Sequence, residues 1–546
     1  MTSVDRRSWM GLAAGSAAGL AAAAAAPDSQ AGQVLAEPAT PAWPRGVDGQ
    51  RRPDLGNGRF LNPVFAGDHP DPTVLRDGDD YYATFSSFDA APGLTIWHSR
   101  DLVNWAPRVA ALPRPPGTVL AVDLCKHAGR YYIYLPAYPS AVSVGLRTVT
   151  IFVIHADHID GPWSEPIRMA IEGYIDPGHV VGEDGKRYLF LNKASRVRLR
   201  DDGLAADGTP EVAFEGWKYP DDWITEAYAL EGPKLFRREG WFYLVSAVGG
   251  TAGPPTGHMI TVARSRSIHG PWQHSPHNPM VRTQQAGERW WSRGHATLLP
   301  GPGGQWWAMY HGYENSYRTL GRQTLLEPVR WTADGWPLAE GGDLSASFAK
   351  PLPGAAATAG IALSDDFQAL RLGSVWTFYR PGAGELERIR HVPGELAIAA
   401  KGSSPDDCSP LTLTARDRAY ELTVDVELRG QAVGGLLLFY SRRLYAGLSF
   451  DGQGIQTWRG GSRLGFWPEP PNGARRLQLR IVNDHHIVTM FYRLPGAAWQ
   501  RHGLRMEVSG YHVNASDELT ALKPALAAMG TGEVVFRQFT YRALSA

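Results

Sequence analysis

One plan recurs five times in the first two-thirds of this chain, and few folds can accommodate it. "GDDYYATFSS" (78–87), "AGRYYIYLPA" (128–137), "DGKRYLFLNK" (184–193), "EGWFYLVSAV" (239–248) and "GGQWWAMYHG" (303–312) each set a Gly or Asp turn ahead of an aromatic-led apolar strand. Their starts lie roughly 50–65 residues apart, the length of four short strands with loops, which is one blade of a β-propeller. A second echo follows the same spacing: "HSRDLVNW" (98–105), "HADHIDGPW" (155–163) and "RSRSIHGPW" (264–272) each follow a strand and end on Trp. Helical periodicity is scarce. The repeats predict a five-bladed β-propeller over residues 55–340.

Composition agrees with an all-β chain. Aromatics make up 11%, with 19 Trp, and Gly and Pro number 61 and 41; such a chain is rich in turns and in rings that stack on sugars. Beyond residue 340 the pattern changes. A small-residue stretch predicts a linker over 341–362, and "AYELTVDVEL", "GGLLLFYS", "LYAGLSFD" and "RRLQLRIVN" alternate as short strands. They predict a C-terminal antiparallel β-sandwich, a concanavalin-like jelly roll, over 363–546. It holds no cluster of catalytic groups and reads as a stabilising or pocket-walling module.

Arg6 and Arg7 stand ahead of an apolar, Ala-rich run from Trp9 to Ala26. This is the layout of a twin-arginine signal peptide over residues 1–32, followed by an N-terminal linker over 33–54, and it predicts export rather than a stable membrane span. The 54 basic and 54 acidic residues balance, so no charged field for nucleic acid is implied. Cys125 and Cys408 are the two cysteines. They exclude a disulfide scaffold and a cysteine zinc cluster, and a single bridge between them is left open.

Three acids begin or interrupt strands at unusual places. Asp71 sits between two prolines in "HPDPTVLRDGDDYY", Asp176 begins another Asp-Pro in "YIDPGHVVGEDGKRYLF", and Glu231 is braced by Gly-Pro in "AYALEGPKLFRREGWFYL". They precede blades one, three and four. The innermost strand of a propeller blade lines the central channel, so acids at those starts converge on one end of it. Two convergent carboxylates are the minimum equipment for cleaving a glycosidic bond, and a third raises the pKa of the proton donor by like-charge repulsion.

At this point the chain resembles glycoside hydrolase family 43. "NPVFAGDHPDPTVLRDGDDYY", "IDPGHVVGEDGKRYLF", "EGPKLFRREGWFYLVSAVGGT", "GHATLLPGPGGQWWAMYHG" and "LGRQTLLEPVRWTADGWP" look like its motifs in the expected order. "LSDDFQ…LGSVWTF" resembles the sandwich of its β-xylosidase and α-L-arabinofuranosidase branches. The resemblance implies Asp71 as general base, Glu231 as general acid, and Asp176 as the residue that raises the pKa of Glu231 and orients it. It implies inversion of configuration, with base and acid about 6.5–9.5 Å apart to admit a water. It further implies an exo-acting enzyme that releases xylose or L-arabinofuranose from oligosaccharides or polysaccharides of plant origin. Arg322, Phe88, Thr251 and His295 match substrate-pocket positions. His295 also matches a channel histidine that contacts a central cation in some relatives; no cofactor is required, and a structural calcium ion is left open.

One departure stands out. Relatives carry Trp-Ala-Pro ahead of the second blade, where this chain has Ala121, Val122 and Asp123. Trp97 or Trp223 could replace the missing aromatic wall. Two other readings stay open: a hydrolase of another glycoside, such as a galactan or fructan, and a non-catalytic carbohydrate-binding propeller. A fructan hydrolase needs an acid Glu followed by Cys, whereas Glu231 is followed by Gly-Pro; a binder has no use for a proton donor with a raised pKa. Oligomeric state is not readable.

Overall fold

Adjacent residues of a strand point to opposite faces, and in a propeller both faces of each blade are covered by neighbouring blades. The aromatic repeats follow from this. The computed structural model describes residues 42–140, 142–143, 145–358, 360–465, 473–516 and 518–544; the signal-peptide reading falls outside them. Blade 1 runs through Thr73–Asp77, Asp80–Thr84, Gly93–Ser99 and Ala106–Leu112. Blade 2 runs through Asp123–His127, Arg130–Tyr138, Thr150–Ala156 and Ile167–Glu172, and blade 3 through Gly178–Val181, Arg187–Leu191, Ser195–Arg198 and Glu211–Val212. Blade 4 comprises Leu230–Arg238, Trp241–Val248, Met259–Ser265 and Gln273–His274, and blade 5 Trp290–Pro300, Trp306–Glu314, Arg322–Trp331 and Pro337–Ala339. Blades 2 and 4 each add one short strand.

Every aromatic repeat is the second strand of its blade, and neighbouring residues in it serve opposite interfaces. Tyr81 packs toward blade 5 with Leu299 and Trp307, while Tyr82 faces Leu124 and Ile133 of blade 2. Tyr131 and Tyr132 divide in the same way between blades 1 and 3. Phe242 lies with Tyr188 and Phe190 of blade 3, and Tyr243 lies with Trp290 and Tyr310 of blade 5. Fully burying one such side chain contributes about 1.5–3 kcal/mol. The pairs are therefore the seams of the ring.

The ring closes through the lead-in segment. Asn62 holds the backbone of Leu326 with both ends of its amide, at 2.8 and 2.9 Å. Phe65 exchanges backbone hydrogen bonds with Thr324, and the His69 amide donates to the Arg322 carbonyl at 2.8 Å. Residues 62–69 thus lie along the third strand of blade 5 and deliver Asp71 beside Arg322. Trp97 belongs to this seam, with its ring 5.4 Å from Phe65 and 5.5 Å from His69. It is 5% exposed, packed in this seam, and its remaining edge borders a small cavity shared with Ser86 and Phe88.

The sandwich is built on two long strands, Tyr420–Ser441 and Lys523–Ala543, which pair along most of their length. Leu422, Val424, Leu436, Leu438, Leu526 and Phe536 point into its core. Propeller and sandwich share hydrogen bonds: Ala90–Ala91, from the loop between the second and third strands of blade 1, pairs with Thr377–Tyr379. The spans read as linkers carry packed structure. Phe348–Ala349 pairs with Arg59–Phe60. Arg51 reaches Glu314 and Gln323 of blade 5 at 2.9 and 2.6 Å, while its amide donates to Asp417 of the sandwich at 3.0 Å. These contacts run through charged and backbone groups, which hydrophobic periodicity does not register. Cys125 and Cys408 are free, and no helix among the described residues is long and apolar enough to cross a membrane.

Lys350 sits buried between Asp54 (2.5 Å) and Asp101 (3.3 Å). Lys350→Ala leaves two buried carboxylates facing each other and should cost about 3–5 kcal/mol in urea unfolding. A loss below about 1 kcal/mol, the scale of an exposed pair, would show that this clasp carries no weight.

Candidate active site

An Asp ahead of Pro does not enter a helix, and here the restriction is put to use. Asp71 and Asp176 share the same left-handed backbone, each with φ 56°. That region is open to Asp at modest cost, and a following Pro then starts the strand. Asp71 precedes the inner strand of blade 1, Asp176 that of blade 3, and Glu231 is the second residue of the inner strand of blade 4. The three acids therefore gather at one end of the channel, as their positions in the sequence imply.

Asp71 is 5% exposed and held from several sides. Ser86 donates to Oδ2 at 2.5 Å and the Arg322 guanidinium to Oδ1 at 2.8 Å. His311 Nδ1 lies 3.1 Å from both the Asp71 amide and Asp71 Oδ1, and His311 Nε2 lies 3.2 Å from Thr251 Oγ1. His295 Nδ1 lies 3.4 Å from Oδ1. Burial opposes a charge on Asp71, but Arg322 above all, with His295 and His311, holds its carboxyl well below the usual range. Burial pushes His295 down to about 3 and His311 to about 4, so both are neutral at pH 7. His258 stacks on His311 at 5.3 Å, with the ring planes 4° apart.

Glu231 lies in the opposite kind of environment. Burial, then the charges of Asp176 and Asp71, raise its carboxyl well above the ordinary value. Asp176 is raised too, by burial first and Asp71 second. The pair keeps a proton into the neutral range, and we place it on Glu231. Asp176 Oδ2 also accepts from the Gly232 amide at 3.0 Å, fastening the backbone beside Glu231. Gly232 has φ 61°, and a Cβ there would meet the His295 ring at 3.0 Å. This one residue needs both the conformation and the absent side chain of glycine.

The remaining expected pocket residues lie around this core. Phe88 is half-buried under the Arg322 guanidinium, 5.6 Å from its ring centre, on the loop whose Ala90–Ala91 joins the sandwich. Arg322 spends one nitrogen on Asp71, and its buried Nε and Nη2 have no protein partner. His295 Nε2 is likewise buried without one. Among the described residues, no group of three or more His, Cys, Asp or Glu side chains could hold a metal ion. Calcium takes six to eight oxygen ligands, which a single imidazole does not supply. The residues do not fit the calcium expectation, and no step below uses a metal.

Two residues at the site escaped the sequence reading. Lys234, on the inner strand of blade 4, reaches the inner strand of blade 2, its Nζ 2.7 Å from both Asp123 Oδ1 and the Val122 carbonyl. Asp123 starts the inner strand of blade 2, and its Oδ2 accepts from the His179 amide at 2.8 Å. Asp123 opens its strand at the register position of Thr73, two residues past the counterpart of Asp71, and Lys234 shows that its charge is spent on structure. Tyr138 ends the second strand of blade 2, 41% exposed. Burial, then Asp176 and Glu231, raise its hydroxyl pKa, so it stands near both acids. Tyr138 is thus an aromatic residue within electrostatic reach of both acids. Trp223 lies instead in the segment 213–229, beneath Arg282, whose guanidinium carbon is 3.6 Å from its ring centre.

Comparison with known proteins gives a consistent result. The sequence model of Glycosyl hydrolases family 43 matches residues 60–337. A non-reducing-end α-L-arabinofuranosidase of Bacteroides ovatus is 31% identical over 400 residues, which span 68% of this chain and 71% of that one. A xylan 1,3-β-xylosidase of a Vibrio species is 28% identical, with 70% and 77% covered. Among solved structures, a GH43 protein of Bacillus licheniformis superposes with a TM-score of 0.77 at 26% identity, covering 89% of this chain and all (100%) of that one.

The Asp71–Arg322 pair makes a testable demand. Arg322→Met strands a buried carboxylate and should cost about 3–5 kcal/mol of unfolding free energy at neutral pH. In the wild type the depressed Asp71 pKa contributes stability above the unfolded value of about 3.9, lost as pH falls. In the variant Asp71 escapes its penalty by taking up a proton, so the gap between the two proteins should narrow toward acidic pH. A gap independent of pH, in urea titrations of both proteins, would contradict this account of Asp71.

Proposed function

Because the chain belongs to Glycosyl hydrolases family 43 and is a glycoside hydrolase, we propose that it is an inverting, exo-acting enzyme that releases a pentose, xylose or L-arabinofuranose, from plant-derived glycans. One arrangement carries this reading: two neighbouring carboxylates lie in opposite electrostatic environments, Asp71 paired with Arg322 at 2.8 Å and Glu231 buried beside Asp176. Asp71 is kept charged by Arg322, and Glu231 is kept protonated by burial and Asp176. That division is what single displacement needs.

In this mechanism Asp71 accepts a proton from water, and the water oxygen attacks the anomeric carbon. Glu231 gives its proton to the departing glycosidic oxygen as that bond breaks, and the configuration inverts. Asp176 touches neither reacting atom. It positions Glu231 through Gly232 and sustains its proton by like charge. The free Nε and Nη2 of Arg322 are donors for sugar hydroxyls, and Phe88 supplies an apolar face. Exo-action rests on the sandwich packing against the loop that carries Phe88, where a cleft of about 220 Å³ lies. Ser87 and Leu120 of the propeller wall one side, and Thr377, Glu518 and Leu519 of the sandwich wall the other. The printed activities of the relatives, an arabinofuranosidase and a xylosidase, support a pentose. Export rests on Arg6, Arg7 and the apolar run after them.

The stereochemical test is proton NMR of the first anomer released from a pentoside; retention would overturn the single-displacement reading. The pH dependence of kcat/KM should be bell-shaped. Its acidic limb reports Asp71 and lies below the usual carboxylate range, and its alkaline limb reports Glu231 and lies above the usual glutamate value of about 4.3. Glu231→Gln should abolish the alkaline limb and lower kcat/KM by about a hundred- to ten-thousandfold on an unactivated glycoside. The loss should be far smaller on a dinitrophenyl glycoside, whose leaving group needs no proton. Asp176→Asn removes the charge that raises Glu231 and should move the alkaline limb to lower pH; an unmoved limb would remove Asp176 from this role.

A further inference from the structure

Glu231 lies at the inner end of a second, larger cleft. It measures about 780 Å³ and is bounded by the turn at Lys193 and Ala194 of blade 3 and by the segment from Val212 to Tyr228. That segment connects the outer strand of blade 3 to the inner strand of blade 4, so it lies at the end of the channel where the acids gather.

Its geometry is built rather than loose. Glu226 Oε2 accepts from the Ala252 amide at 2.9 Å, beside Thr251 of the site. Gly250 and Gly253 leave room for that side chain, since a Cβ on either would come within 2.5 and 2.6 Å of it. At Gly216 a Cβ would lie 2.4 Å from the Tyr228 hydroxyl and 2.5 Å from Leu230, so glycine lets both settle against the segment. Tyr228 donates to the Trp217 carbonyl at 3.0 Å and packs 5.9 Å from Tyr219. The Lys193 amide donates to Leu230 and the Ala213 amide to Ala194, which closes the floor.

This anchored cleft nevertheless presents apolar surface to water. Tyr228 is 46% exposed and Val212 78%. Asn192, Lys193, Glu215 and Lys218 supply hydrogen-bonding groups around them. An exposed ring and an exposed aliphatic side chain among neutral and charged hydrogen-bonding groups fit a sugar chain, whose ring faces are apolar and whose edges carry hydroxyls. A volume inside the roughly 300–1,000 Å³ range of sites that enclose a drug-sized ligand exceeds what one sugar ring fills.

We propose that this cleft is the leaving-group site and binds at least two sugar units of the glycan from which the pentose is removed. The assignment of side rests on Glu231 acting as the acid: the oxygen that receives its proton belongs to the leaving sugar, so that sugar lies on the Glu231 side. The chain is thereby directed to pentoses attached to an extended glycan, and small glycosides use only part of its binding surface.

The test compares a nitrophenyl pentoside with short and long xylo-oligosaccharides, plain and arabinofuranosyl-substituted. Tyr228→Ala removes the exposed ring, and Val212→Trp fills the cleft from its open side without touching the acids. Each should lower kcat/KM on the long oligosaccharides about tenfold, equivalent to about 1.4 kcal/mol, and change the nitrophenyl pentoside less than about twofold. Equal losses on both substrates, or none on either, would overturn the proposal. If the wild type turns over no pentoside, the proposed reaction fails by itself, and calorimetric titration with the long xylo-oligosaccharide decides about the cleft. About tenfold weaker binding to Tyr228→Ala supports the cleft, and unchanged binding overturns it.

Discussion

The ion pair between Asp71 and Arg322 is the contact on which the rest of this structure converges. A carboxylate 5% exposed would shed its charge by taking up a proton unless a cation met it. Arg322 meets it at 2.8 Å, and the geometry of that meeting is set by backbone. The same lead-in segment that closes the propeller against blade 5 brings His69 to the Arg322 carbonyl, so ring closure and delivery of Asp71 are one event. Behind Arg322, Gln323 accepts from Arg51 at 2.6 Å and donates to Glu314 at 3.0 Å, and Glu314 also pairs with Arg418 of the sandwich. The charge at the centre is thus supported by buried charges that reach the second domain.

This arrangement explains what the sandwich contributes. It supplies none of the acids, yet the loop bearing Ser86 and Phe88 is hydrogen-bonded into it through Ala90 and Ala91. Ser86 holds Asp71, and Phe88 lies against Arg322. The sandwich therefore acts on the site by holding a loop and by walling the cleft beside Phe88. An excursion of about 1 Å in such positioning costs about a hundredfold in rate, which accounts for a domain of this size devoted to support.

The acids illustrate how environment divides chemically similar groups. Asp71 and Asp176 have the same dipeptide context and the same backbone twist, yet one is driven down by Arg322 and the other up by burial and by Asp71. Asp123 stands two residues further along in blade 2, at the position of Thr73, and Lys234 removes it from the chemistry. Their shared strand-start position was legible in the residue pattern, because propeller strands begin at fixed places. Their division of labour was not, because the deciding partners Arg322 and Lys234 lie about 250 and 110 residues away along the chain.

By itself the sequence determined the ring. Five aromatic strands at blade spacing, each with side chains for two interfaces, can bury both faces only against neighbours on either side, and five such strands close into a propeller. It also determined where acids could stand. Tertiary structure alone decided which acid carries a proton, that Trp97 is packed in a seam while Tyr138 lies within electrostatic reach of the acids, and that the spans with a linker's composition are clasps. The reason is one of range. Strand periodicity is written in neighbouring residues, whereas burial and charge pairing are settled by groups that meet only once the chain has closed.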